Sequence, residues 1–168
     1  ITIRDCNIQN FSLGINISGA RNITIRNNNI TNGTGGILVN NSIFVFLRNN
    51  TINVTGGIGV YLKNITFVNL TGNNITGVSG TVSPALLVEN ARFSMFYNNT
   101  VQSPQWRGAQ FVRSNNNNLT YNVFTSDSDI ALLLNDTSNY NILVNNTVLT
   151  ATTAVGSRGI TFDVSSDN

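Results

Sequence analysis

The sequence predicts an all-β chain wound into a single-stranded parallel β-helix, a solenoid of about seven coils of 22–28 residues with three short strands each. Three observations carry this reading. A unit of the form Gly-apolar-x-apolar-x-x-small, clearest from Gly36 to Ser42, begins at Gly14, Gly36, Gly59, Ala85, Gly108, Ala131 and Gly159, with spacings of 22, 23, 26, 23, 23 and 28. A second apolar anchor recurs at Ile8, Ile30, Ile52, Ile75, Val101, Val123 and Val148, and from Ile30 onward it lies 15 to 17 residues after each start, so inserts gather at one corner. Strong helix formers are scarce, while Asn, Thr, Gly, Ile and Val dominate.

Each coil follows from the same alternation. After the start, two apolar positions separated by one other residue give the period of two that marks a strand with one buried face. The first inward column reads Ile15, Ile37, Val60, Leu86, Ala109, Leu132 and Ile160; the second reads Ile17, Val39, Leu62, Val88, Phe111, Leu134 and Phe162. Stacked in parallel at about 4.8 Å per coil, these columns make a continuous core in which each Val, Leu or Ile contributes roughly 1.5–3 kcal/mol. An antiparallel sandwich is the structural rival, but its hairpins would not keep one half constant with inserts at a single corner. Two residues before each second anchor stand Cys6, Asn28, Asn50, Asn73, Asn99, Tyr121 and Asn146. Stacked Asn side chains satisfy one another and the backbone of a tight bend. Cys6 is expected as a small buried substitute in this ladder, not as a reactive thiol.

Outward columns come next. Arg4, Arg26 and Arg48 stand four residues before the first three anchors, and the column continues as Thr71, Tyr97 and Leu119. Such a stripe suits an anionic polysaccharide or a neighbouring subunit's carboxylates, or is a set of solvated turn residues. Thr2, Thr24 and Thr66 recur as in a flat threonine array, but Phe46 interrupts them. Between the inward columns runs Asn16, Leu38, Tyr61, Leu87, Gln110, Leu133 and Thr161, whose large apolar members Leu38, Tyr61, Leu87 and Leu133 form a candidate stripe for lateral contact.

The inserts then offer chemistry in turn. Thr76 to Pro84 reads as a loop without a catalytic group, Gln102 to Arg107 carries Trp106, Phe124 to Asp129 carries Asp127 and Asp129, and Leu149 to Arg158 closes the series. Counting back from the coil starts places Trp106 near Asp129 and sets Arg107 and Arg158 on the same rim. This is either an ordinary ion-paired loop or a candidate carbohydrate-binding site, the ring stacking on a sugar face while Arg and Asp hold hydroxyls or acidic groups. No catalytic residue is assigned: hydrolysis needs two carboxylates flanking the bond, and neighbouring coils supply no third acid, His or Lys beside Asp127 and Asp129.

Composition narrows the partners. Only 10% of residues are charged, against about a quarter in ordinary soluble domains, and 31 Asn with 33 Ser plus Thr take their place. The net charge is +2 and no basic block interleaves with aromatics, so nucleic acid is not expected as a partner. There is no 18-residue apolar run, so no membrane span is expected. The chain has no His, one Cys and one Met, which disfavours a copper site, and only two close carboxylates, which disfavours calcium; no metal or cofactor is expected. A single cysteine excludes an internal disulfide framework. Sequons occur at Asn10, Asn16, Asn22, Asn29, Asn32, Asn40, Asn49, Asn53, Asn64, Asn69, Asn74, Asn98, Asn118, Asn135 and Asn145, 15 in all against roughly six expected by composition. These are candidate N-glycosylation sites and point to an extracellular or cell-surface location; the alternative is that the excess is a by-product of composition, part of it being the Asn-Ile-Thr repeat copying itself.

The pattern Gly-Ile-x-Val-x-x-Ser followed by Asn-Asn-x-Ile, at 36–42 and 49–52, resembles the right-handed parallel β-helix repeats of NosD-like proteins, pectate-lyase-like carbohydrate enzymes and many archaeal cell-surface proteins. The resemblance covers residues 1–168 as one repeat region and implies the right hand, which spacing does not reveal. The lyase and hydrolase relatives use Asp clusters with Lys, Arg or His across adjacent coils, a pattern this chain does not match. Because it opens inside a strand-like run, the chain is expected to be a window on a longer array with caps outside it. The functional expectation is a non-catalytic structural segment of a secreted or cell-surface glycoprotein, a stiff solenoid associating with itself or with other surface subunits. The alternative is a carbohydrate-binding or carbohydrate-processing β-helix with its active coils partly outside these residues.

Overall fold

The repeating units fold into stacked rungs. The computed structural model describes residues 1–77, 83–151 and 156–163, in which 20 strands and no helix are found. Strands pair in parallel with their counterparts one coil on, and Ile15, Ile37, Val60, Leu86, Ala109, Leu132 and Ile160 lie in one register, as the spacing predicts. The chain is thus an all-β parallel solenoid whose seven coil starts enclose about six full turns.

Three faces run along the axis. The first holds Leu13–Ser18, Gly35–Asn40, the beginning of Val60–Thr71, Leu86–Arg92, Ala109–Val112, Ile130–Asn135 and Arg158–Asp163. The second holds Thr2–Arg4, Arg21–Arg26, Ile43–Arg48, the end of Val60–Thr71, Met95–Tyr97, Asn118–Thr120 and Ile142–Val144. The third holds Asn7–Gln9, Asn29–Thr31, Thr51–Val54, Asn74–Gly77, Thr100–Ser103, Val123–Ser126 and Thr147–Thr150. The two inward columns are buried through Leu132 and Leu134. In the last rung Ile160 and Phe162 are 44% and 59% exposed, contrary to expectation, because they pack against a rung on one side only.

The bend between the second and third faces is made by a left-handed residue in every rung: Asp5, Asn27, Asn49, Gly72, Asn98, Tyr121 and Asn145. Asn, Asp and Gly adopt this conformation at least cost, which explains the Asn pairs of the sequence. The residue after it enters the ladder. Asn28, Asn50, Asn73, Asn99 and Asn122 each donate Nδ2 to Oδ1 of the next rung's Asn at 2.9–3.0 Å, ending on Asn146. The same Oδ1 accepts a backbone N–H from the rung before, and the second Nδ2 hydrogen reaches a carbonyl such as Ile25 O or Leu47 O. Each interior Asn therefore uses all four of its side-chain hydrogen bonds.

The ladder corrects the expected register in the sixth coil by one residue. Phe124, not Val123, aligns with Val101 and Val148, and Asn122, not Tyr121, is the ladder member. Likewise Thr120, not Leu119, follows Tyr97 in the arginine column, and Leu119 is buried. Burying the larger ring and satisfying the ladder both select this register over the one that Val123 suggests. It restores a 16-residue spacing from Gly108, and the one-residue excess of the next coil falls at Asp136 and Thr137, both left-handed.

Cys6 occupies the expected column but is exposed, since its rung stacks on the ladder from one side; its Sγ–H donates to Arg4 O and its N–H to Asn28 Oδ1. Thr66 does not continue Thr2 and Thr24, whose column runs to Phe46, Asn69 and Met95; it pairs with Ile43 and Arg92 instead. The inserts begin later than their sequences suggest, because Thr76, Gly77, Gln102, Ser103, Phe124 and Leu149 still belong to third-face strands. Of the loop expected from Thr76 to Pro84, residues 78–82 lie outside the described residues, as do 152–155 of the insert from Leu149 to Arg158.

Candidate functional site

Three outer surfaces carry side-chain chemistry. At the corner between the third and first faces, serines shape the Trp106 rim. Ser103 Oγ accepts the Trp106 N–H, and Ser126 Oγ donates to Trp106 O while accepting the Asp129 N–H. Arg107 lies 5.0 Å from the Trp106 ring and donates Nε to Asp129 Oδ2 at 3.2 Å and Nη1 to Gln110 Oε1 at 3.1 Å. Trp106, Arg107 and Asp129 thus meet as the spacing predicts, all half-buried. Arg158 joins them through its backbone N–H to Asp129 O, with its side chain exposed, and exposed Asp127 donates its N–H to Ser103 O. With Asp129 held by Arg107, the rim offers a flat ring, a guanidinium and the carboxylate of Asp127. Among the described residues no group of three or more His, Cys, Asp and Glu is placed to hold a metal, and no helix could cross a membrane.

On the first face Leu38, Tyr61 and Leu87 are neighbours on consecutive rungs and half-buried, as the expected stripe requires. Leu133 is not part of it: its column position points outward, but only 3% of its surface is exposed. The stripe is flanked by a charged cluster. Tyr61 donates its hydroxyl to Glu89, which also pairs with Lys63 at 3.5 Å and Arg113 at 2.9 Å, and Arg113 reaches Asp136 at 3.4 Å. The hydrogen bond from Tyr61, with the Lys63 and Arg113 charges, holds Glu89 below the usual carboxylate range. Burial first, then Glu89, raises Tyr61, and the contact with Tyr61 raises Lys63.

The second face carries a feature the sequence reading missed. Phe44, Phe67 and Phe93 stand on consecutive rungs, 37%, 43% and 55% exposed, with ring centroids 5.3 and 5.9 Å apart in stacked order. All three adopt left-handed backbone, at φ of 57°, 58° and 54°. That conformation costs a bulky residue roughly 1–2 kcal/mol. It also turns two successive residues outward, as at Thr66 and Phe67, breaking the strand's alternation. Asn22 and Asn116 hold the same position in flanking rungs with φ of 52° and 57°. The rings floor a groove of about 370 Å³ that Phe46, Asn69, Met95 and Asn118 complete. A signal was available, since each Phe lies eight residues after its coil start at Gly36, Gly59 or Ala85. Beside the groove the arginine column holds Arg4, Arg26 and Arg48 in register, with Arg48 5.1 Å from the Phe46 ring.

The sequon asparagines sort by position. Asn40, Asn69 and Asn135 are half-buried and the other twelve of the 15 are exposed. Among the described residues the six buried asparagines, Asn28, Asn50, Asn73, Asn99, Asn117 and Asn122, all lie outside sequons.

A family model described as right handed beta helix region matches residues 1–148. No curated protein and no solved structure matches the chain. The chain belongs to the right-handed β-helix family.

Proposed function

We propose that this right-handed β-helix chain is a non-catalytic, stiff segment of a secreted or cell-surface glycoprotein, such as a surface layer, sheath, filament or adhesin stalk, associating laterally with its own copies or other surface subunits. The observation that carries the reading is the division of its asparagines. The buried asparagines lie outside sequons and are joined rung to rung by amide hydrogen bonds, whereas every sequon asparagine is exposed or half-buried. The first set resists axial extension, because stretching the stack breaks side-chain and backbone bonds together. The second offers attachment points for glycans that keep a weakly charged surface in solution. The half-buried Leu38, Tyr61 and Leu87 stripe supplies the lateral contact. Electron microscopy of undenatured material from the native source, with glycopeptide mass spectrometry, tests this. Ordered filaments, tubes or sheets with occupied sequons are expected; dispersed particles with bare asparagines overturn it.

A second reading, carbohydrate binding at the Trp106 rim, is favoured by the guanidinium of Arg107 held between Trp106 and Asp129. It requires saturable oligosaccharide binding by calorimetry that weakens on Trp106→Ala. Absence of binding removes it.

A further inference from the structure

We propose that the groove over Phe44, Phe67 and Phe93 seats an N-linked glycan carried by Asn69, with the C–H face of its first pyranose lying against the exposed outer side of the ring stack at Phe67. This rests on reading the chain as a glycoprotein and makes one glycan part of the fold's surface rather than a loose appendage. Phe67, Asn69 and Thr71 follow one another at every second position of a single strand, and Asn69 and Phe67 both line the groove. Thr71 donates its hydroxyl to Asn69 Oδ1. That bond orients the carboxamide and leaves Nδ2, the atom that bears the sugar, without an acceptor among the described residues.

Other sequons lack this combination. Asn64 spends Nδ2 on Asn41 Oδ1 and accepts from Asn90, and Asn40 and Asn135 have buried Oδ1 atoms. Asn118 lines the far end of the groove and accepts from Thr120, but Asn116 stands two residues before it where Asn69 has a ring. Asn98 follows Phe96 at the same interval, yet that ring is buried inside. Phe67 is thus the one exposed ring two residues before a sequon asparagine among the described residues.

The arrangement accounts for the three phenylalanines. Asn22 and Asn116 show that asparagine fits the same left-handed position, so the rings are not needed for the backbone. The exposed outer side of the three stacked rings is an apolar platform for the C–H side of a sugar ring, and a covalently tethered sugar meets it without further loss of translational freedom. Attachment requires a lipid-diphosphate-linked oligosaccharide as donor. Asn69 Nδ2 forms a bond to the anomeric carbon, the anomeric C–O bond breaks, the diphosphate leaves with the electron pair, and one amide proton passes to a base.

The test begins with glycopeptide mass spectrometry of the native-source protein, using fragmentation to separate Asn64, Asn69 and Asn74, which fall between Lys63 and Arg92. Thermal melts before and after enzymatic glycan removal follow, on the natural chain and on Phe67→Asn. Asn69 is expected to be occupied, and glycan removal to lower Tm by about 2–4 °C in the natural chain but by less than half of that in Phe67→Asn. Should Phe67→Asn fail to fold, ring-current shifts of the first sugar's protons in the natural glycoprotein give the same information. A bare Asn69 beside occupied sequons elsewhere overturns the inference and leaves the glycoprotein reading standing; bare sequons throughout overturn both. Equal losses of Tm in the two chains, unshifted sugar protons, or a deglycosylated chain that keeps its Tm and dimerises in a way that Phe67→Asn abolishes, also overturn it.

Discussion

Asn73 donates its side-chain amide to Oδ1 of Asn99 at 3.0 Å, and the same oxygen accepts the backbone N–H of Asn73 at 2.9 Å. One amide thus holds a neighbouring rung by side chain and main chain at once. Asn73 does the same for Asn50 and also donates to Leu47 O. Asn73→Ala leaves several of these buried groups unpaired at about 1–3 kcal/mol each, so a total loss of roughly 3–5 kcal/mol is expected. Its exposed strand neighbour Asn74 makes no such ladder, and Asn74→Ala is expected to change stability by no more than about 0.5 kcal/mol. Urea unfolding of both variants decides it; equal effects would remove the ladder from the account of stiffness.

Gly36 is constrained by approach rather than by φ. A Cβ there would lie 2.2 Å from Gly59 O and 2.5 Å from Ile52 Cγ2. Gly14, Gly59 and Gly108 in the same column would also bring a Cβ within 3.0 Å of a neighbour, whereas Ala85 and Ala131 are accommodated, so these glycine rungs are the tightly packed ones and Gly36 is the tightest. Gly36→Ala is expected to cost about 2–4 kcal/mol through displaced backbone. An unchanged denaturation midpoint would mean that the rungs separate easily.

What was legible in the sequence is what burial enforces. The inward columns had to repeat, because one polar residue among Ile37, Val60 and Leu86 would interrupt a core running through every rung. Val123 and Phe124 are both apolar, so periodicity could not choose between them; the hydrogen bonds of Asn122 did. Leu133 shows a second limit, since alternation tells which way a side chain leaves the strand and not what covers it. The meeting of Arg107 and Asp129 was legible because both follow from a count along a fixed corner. The Phe44, Phe67 and Phe93 column was not, because a left-handed residue places two neighbours outward in succession, and large rings in a β sequence read as interior.

Stability against pH should reflect Glu89. Its folded pKa is depressed by the Tyr61 hydrogen bond and the Lys63 and Arg113 charges, so the folded state binds fewer protons than the unfolded chain in the carboxylate range. Its contribution is present above the usual glutamate pKa of about 4.3 and is lost as pH falls through the lower folded value. Tyr61 and Lys63 are raised, and what they contribute is present below about pH 10 and lost as pH rises further. Glu89→Gln should flatten the acid limb of the melting temperature and weaken the alkaline one. An unaltered acid limb would show that other carboxylates govern it.

The lateral stripe gives the test closest to function. Leu38 and Leu87 flank Tyr61 in register, and a shallow groove of about 370 Å³ lies beside Leu38 and Tyr61. Their half-exposure means that replacing them removes little core packing, so the double variant Leu38→Asn with Leu87→Asn is expected to melt within about 2–4 °C of the natural chain. Association through this face depends on their apolar surface and should fall by at least tenfold, about 1.4 kcal/mol, in sedimentation equilibrium. Leu133→Asn reverses the pattern: buried and outside the stripe, it should lower stability and leave association of the folded fraction unchanged. Assembly that survives the double variant would exclude the first face as the lateral contact.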